Sequence, residues 1–162
     1  MNKYQMRWNE VFFENEQLVE LFDKKAPWSW DYQNDDREEA SFKIENVPFK
    51  VVFHTRDQEN WIVEFEDASA SAWKADERWG NTGTVGDKSI QVFGTVMDII
   101  KNFLENERPE GLIFSGDIRY GRPELYQSIL KHQRSKLEIL GYTMTSSEMN
   151  IRGDVEFILH LN

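Results

Sequence analysis

The sequence predicts a single α/β (α+β) domain built on a mixed, mainly antiparallel sheet flanked by helices. Three observations lead there. Three consecutive segments within residues 40–67 alternate apolar and polar side chains, the period of strands that bury one face. Two stretches of helical period then enclose the short apolar run "LIFSGD", which suits a central strand covered on both faces. The chain closes on two further runs, "YTMTSSEMN" and "DVEFILHLN", placed as a hairpin around Asn150-Ile151-Arg152-Gly153-Asp154. A chain of 162 residues with 40% hydrophobic residues can bury one substantial core.

The elements follow in order. Residues 9–25, "NEVFFENEQLVELFDKK", carry Leu18, Val19, Leu21 and Phe22 at helical spacing, with Lys24 and Lys25 favourable at the C-terminal end and Pro27 as the stop. The aromatic and acidic stretch "WSWDYQNDDREE" comes next, with a turn signal at Asn34-Asp35-Asp36. The meander of residues 40–67 has three strands, alternating through Phe42 and Ile44, through Phe49, Val51 and Phe53, and through Trp61, Val63 and Phe65. Asn46-Val47-Pro48 and Asp57-Gln58-Glu59-Asn60 are the expected connections. Residues 68–87 have no sustained period and read as a long loop, in which Trp73 and Trp79 either anchor the loop to its own core or meet a partner.

The stretch "GDKSIQVFGTVMDII" reads as a short β run that turns at Gly94 into a helix. The stripe Val96, Ile99, Ile100, Phe103 and Leu104 defines that helix, and Asn106 and Pro109 end it. A second helix starts with Pro123 in its first turn and runs to Gly141 at its C′ position. Residues 94–162 thus read as helix, strand, helix and hairpin.

Composition narrows the function classes. A formal charge of −10 repels a phosphate backbone, so nucleic acid is not an expected partner. No apolar run reaches the roughly 20 residues of a membrane span, and the N-terminus lacks a signal-peptide core; the expectation is a soluble, cytoplasmic protein without a membrane partner. The absence of cysteine excludes disulfides, thiolate ligands and a cysteine nucleophile. His54, His132 and His160 are scattered without ligand spacing, so no metal site is expected. Gly83-Thr84-Val85-Gly86 lacks the Lys-Ser/Thr of a nucleotide-binding P-loop.

The element order and two short stretches resemble the GCN5-related N-acetyltransferases. Gln91-Val92-Phe93-Gly94-Thr95-Val96 is similar to that family's Gln/Arg-x-x-Gly-x-Gly/Ala turn, whose backbone amides hold the pyrophosphate of acyl-CoA, and departs from it at Val96. The resemblance implies acetyl-CoA or another acyl-CoA as cofactor, lined by Gln91, Phe93, Gly94 and Thr95, while the plainer reading has Gly94 only easing a tight turn. "RPELYQSILKHQRSKLEILGY" is similar to the family's second helix, which implies that Tyr126 returns a proton to the leaving thiolate; the alternative is a core-edge tyrosine. Glu64 at the end of the third meander strand is the implied base, against a solvated-face reading shared with Glu66 and Asp67. Ser115, at the C-terminal end of "LIFSGD", either contacts pantetheine or turns the chain. Lys88, Arg119 and Arg122 form the basic cluster available to a phosphorylated ligand.

The segment "VFGTVMDIIKNFL…GLIFSGD…RPELYQSIL" also resembles small tailed-phage proteins of unknown function. That resemblance implies a second expectation, a non-catalytic protein of the same fold, residing in the host cytoplasm, that binds a host or virion protein. Its surface would be the cluster Trp28, Trp30 and Tyr32 beside Asp31, Asp35 and Asp36.

Overall fold

The computed structural model describes residues 25–55, 57–68, 89–117, 123–146 and 154–162. The expected N-terminal helix, apart from Lys25, and the expected loop, apart from its first residue, lie outside the described residues. The elements are β1 (Trp28–Gln33), β2 (Arg37–Ile44), β3 (Val47–Thr55), β4 (Asn60–Asp67), α1 (Ser89–Glu107), β5 (Gly111–Asp117), α2 (Pro123–Ile139), β6 (Tyr142–Ser146) and β7 (Asp154–Leu161). They make a mixed α+β structure on one seven-stranded sheet of order β1-β2-β3-β4-β5-β7-β6. Among its neighbouring strands β4 and β5 alone are parallel; the other pairs are antiparallel.

The alternation read from the sequence sets the faces. Ala40, Phe42 and Ile44 of β2, Phe49, Val51 and Phe53 of β3, and Trp61, Val63 and Phe65 of β4 are all buried on one face. On α1 the stripe Val92, Phe93, Val96, Met97, Ile99, Ile100, Phe103 and Leu104 is buried against them, at the spacing of one helix face. Phe103 forms the centre of this packing, stacked on Phe53 at 4.1 Å between centroids and edge-on to Trp61 at 5.1 Å. Both helices lie on this side of the sheet, because the crossovers β4–α1–β5 and β5–α2–β6 step in the same direction and share the right-handed preference. Lys101 of α1 accordingly donates to the buried Gln133 of α2 at 3.2 Å.

Turn chemistry explains the connections. Glu45 and Asn46, with φ of 52° and 65°, form a two-residue hairpin turn whose left-handed residues match the twist of the flanking strands; the turn lies one residue earlier than expected. Between β3 and β4, Asp57 accepts the amides of Glu59 and Asn60 at 3.0 and 2.8 Å, and these bonds lower the pKa of its carboxyl. Gly141 follows α2 with φ of 95°, the left-handed end that the sequence places there.

Two expectations need correction. The stretch "WSWDYQ" forms edge strand β1, which the meander reading omitted. Moreover, α1 starts at Ser89, so Ser89–Phe93 is helical rather than a β run and the chain does not turn at Gly94. Four or five residues fit either period, and packing decides: Phe93 sits edge-on to Phe65 at 5.5 Å, on the stripe continued by Val96 and Met97.

Candidate functional site

The parallel pair β4–β5 is a fork. It runs from Asn60 opposite Gly111 to Val63 opposite Phe114, and then the strands part. Beyond Val63, β4 stays with β3 through Asp67 opposite Phe49. Beyond Phe114, β5 stays with β7 through Asp117 opposite Asp154. The facing edges of Glu64–Asp67 and Ser115–Asp117 therefore have no ladder partner in each other, and a separation between strands exposes backbone donors and acceptors that must find other partners.

The helix side of the fork is aromatic. Phe65 stacks on Phe114 at 6.0 Å, Phe114 leans on Phe157 at 6.1 Å, and Phe93 of α1 closes the row against Phe65. This gives the fork an apolar floor. On the opposite face Glu64 lies 3.7 Å from His54, next to Lys50, which pairs with Glu39 at 3.3 Å. Glu39 also meets Arg37 at 3.5 Å; burial disfavours its charge, but the two cations outweigh that and lower its pKa.

The expected site residues gather at this end of the sheet but play unequal parts. Continuing the β4–β5 register by one residue would put Glu64 opposite Ser115, so these two stand where the strands begin to separate. Tyr126 lies in the first turn of α2, after β5 ends; the side chains of Tyr126 and Ser115 lie outside the described residues. Gln91 is half-buried in the first turn of α1. Phe93 belongs to the floor. Gly94 is buried in the second turn of α1, where amides are committed to the helix, so the amides that a helix start leaves without an intrahelical partner lie before it, in the first turn.

Thr95 is fully used by the fold. Its Oγ1 accepts the amide of Ala26 at 2.8 Å and donates to the Gln91 carbonyl at 2.8 Å, with the residue fully buried. With its proton committed and its surface buried, it has no donor left for a ligand. Lys88, Arg119 and Arg122 lie outside the described residues. Among the described residues no group of three or more His, Cys, Asp or Glu side chains could hold a metal ion, and no helix is long and apolar enough to cross a membrane.

The aromatic cluster of β1 divides. Trp28 donates to Asp98 at 2.8 Å and Trp30 to Asn102 at 3.1 Å, so both indoles are tied to α1. A bulge between Trp30 and Tyr32 then reverses the alternation and leaves Tyr32 47% exposed. Of the three rings offered as a partner surface, Tyr32 alone is free of α1. The bulge has no signature in "WSWDYQ", and it also aims Gln33 at Glu38, a buried acid that the sequence reading passed over. Comparison with family models, with curated proteins and with solved structures finds no match to this chain.

Proposed function

We propose that the chain is an acetyltransferase-like protein that takes an acyl-CoA into the β4–β5 fork and transfers the acyl group to an amine. The observation that carries this reading is the parting of the parallel pair after Val63 and Phe114 over a floor of Phe65, Phe93 and Phe114. An extended ligand with its own amides, such as the pantetheine arm, suits two strand edges that part from each other, as an added strand would. The element order agrees with the resemblance stated above, and the seven implied residues collect at the fork's end of the sheet.

In this reading a backbone N–H of β4 beyond Val63 polarises the thioester carbonyl. The amine nitrogen bonds to that carbon as the carbon–sulfur bond breaks. Glu64 takes the amine proton, directly or through water, and Tyr126 gives its phenolic proton to the departing thiolate. The anionic end of the substrate falls to the first turn of α1, since Gly94 and Thr95 are interior to it.

Calorimetric titration of acetyl-CoA into the protein, with CoA as control, tests the reading. Saturable binding, with thiol release from acetyl-CoA when a panel of amines is added, is the expected result. No heat and no thermal shift at millimolar acetyl-CoA would overturn it.

A further inference from the structure

Glu38 is the one charged residue type buried in the core among the described residues, at 1% exposure. It stands on the core face of β2, opposite Phe53 and so in line with Val63, two strands away from the β4–β5 fork. Gln33 donates to its Oε1 at 2.6 Å, a contact that exists because the β1 bulge rotates Gln33 onto this face. Its Oε2 is buried and accepts no hydrogen bond. Just beyond lies the carboxylate of Glu107, one helical turn after Phe103 and at the C-terminal end of α1, where the helix dipole adds negative potential. Among the described residues no cation is seen to act on Glu38: Arg37 is engaged with Glu39, and Arg108 with the Tyr142 ring and the Leu140 carbonyl.

Such an arrangement suits a neutral acid. A buried carboxylate with one unpaired oxygen facing a second carboxylate is costly, whereas a protonated Oε2 supplies the donor that Glu107 can accept. We propose that Glu38 is a proton-operated clasp, which in its neutral form ties the β1–β2 edge hairpin to the last turn of α1 through Gln33 and Glu107, and which on losing its proton to solvent loosens that edge. Burial above all, then the bond and the charge of Glu107, raise the Glu38 carboxyl to about 7 against the opposing bond from Gln33.

The sign follows from linkage. An acid whose pKa is raised on folding stabilises the fold fully below its unfolded value of 4.5 and loses that contribution as pH climbs to about 7. Within that window the unfolding constant rises about tenfold per pH unit from this group.

Carboxyl carbon resonances of the labelled full chain, followed by NMR from acid to mild alkali, test the clasp together with amide exchange across β1. Glu38 should titrate near neutrality, well apart from the other glutamates, and exchange protection at Trp28–Gln33 should fall over the same range. Glu38→Gln should hold that protection flat with pH. Glu107→Gln should lower the Glu38 midpoint while leaving the strand folded. A Glu38 midpoint in the ordinary glutamate range, or a loss of β1 protection that is unchanged in Glu38→Gln, would overturn the proposal. Should Glu38→Gln fail to fold, an unmoved Glu38 midpoint in Glu107→Gln would overturn it as well.

Discussion

Trp28 and Asp98 join the edge of the sheet to its central helix. The indole N–H donates to Oδ2 at 2.8 Å while Lys25 holds Oδ1 at 3.0 Å. Two residues along β1, Trp30 repeats the contact with Asn102, four residues along α1. The match is geometric, because two residues of strand advance about 6.6 Å and four of helix about 6 Å. The two indoles meet edge-on at 5.4 Å, and Trp30 reaches Phe53 at 5.8 Å, so the edge strand shares the aromatic core.

Asp98→Ala removes the acceptor for both donors and should cost about 1–3 kcal/mol in denaturant unfolding. Burial disfavours the Asp98 charge, but the bonds from Trp28 and Lys25 outweigh it and lower its pKa. A depressed acid stabilises the fold above its unfolded pKa of 3.8 and loses that contribution as pH falls below it. The variant should therefore differ most from the parent at neutral pH and least in acid.

Tyr142→Phe tests the contact beneath the C-terminal ends of the two helices. The buried phenol donates to the Pro109 carbonyl at 2.7 Å, and the Arg108 guanidinium lies 5.3 Å from the ring centroid. Burial raises the Tyr142 pKa, with Arg108 opposing, so the hydroxyl stays a donor through the working pH range. Losing that donor strands a buried carbonyl and should cost about 1–2 kcal/mol, read from the urea midpoint at unchanged slope.

Thr95→Val keeps the shape and deletes the hydroxyl. It leaves the Ala26 amide, buried against α1, without its acceptor at 2.8 Å, and a loss of about 1–3 kcal/mol is expected by thermal and denaturant unfolding. An unchanged midpoint would show that Lys25 and Ala26 contribute little to the fold.

How far the sequence disclosed this structure depends on whether a local period was enough. Phe42, Ile44 and Phe65 alternate with charged or polar neighbours and all reach the core face, since strand period is a property of the chain alone. At Ser89–Phe93 a helical and a strand reading fit equally, and the contact of Phe93 with Phe65 settles it from outside the segment. The fork was hidden for a similar reason: Glu64 and Ser115 were visible as residues near strand ends, but where two strands part is set by their neighbours β3 and β7. Glu38 looks in "DDREE" like one more solvated acid, and only the register to Phe53 and the bulge beside Tyr32 put it inside.

Glu64 separates function from stability. Its side chain is 40% exposed and its His54 partner 35%, so their 3.7 Å contact is a solvent-screened pair of the kind worth at most about 1 kcal/mol. Glu64→Gln should consequently unfold within about 0.5 kcal/mol of the parent. If this carboxylate takes the amine proton, the same substitution lowers turnover by roughly 10²–10⁴. Acetyl-CoA affinity should hardly change, because the side chain stands at the mouth of the fork and the proposed ligand contacts are backbone edges and the aromatic floor. Thiol release with a competent amine, measured beside calorimetric affinity on one preparation, reads both. Full turnover in Glu64→Gln would remove Glu64 from the base role and leave the fork as the surviving part of the reading, whereas lost affinity at intact stability would place the carboxylate in binding.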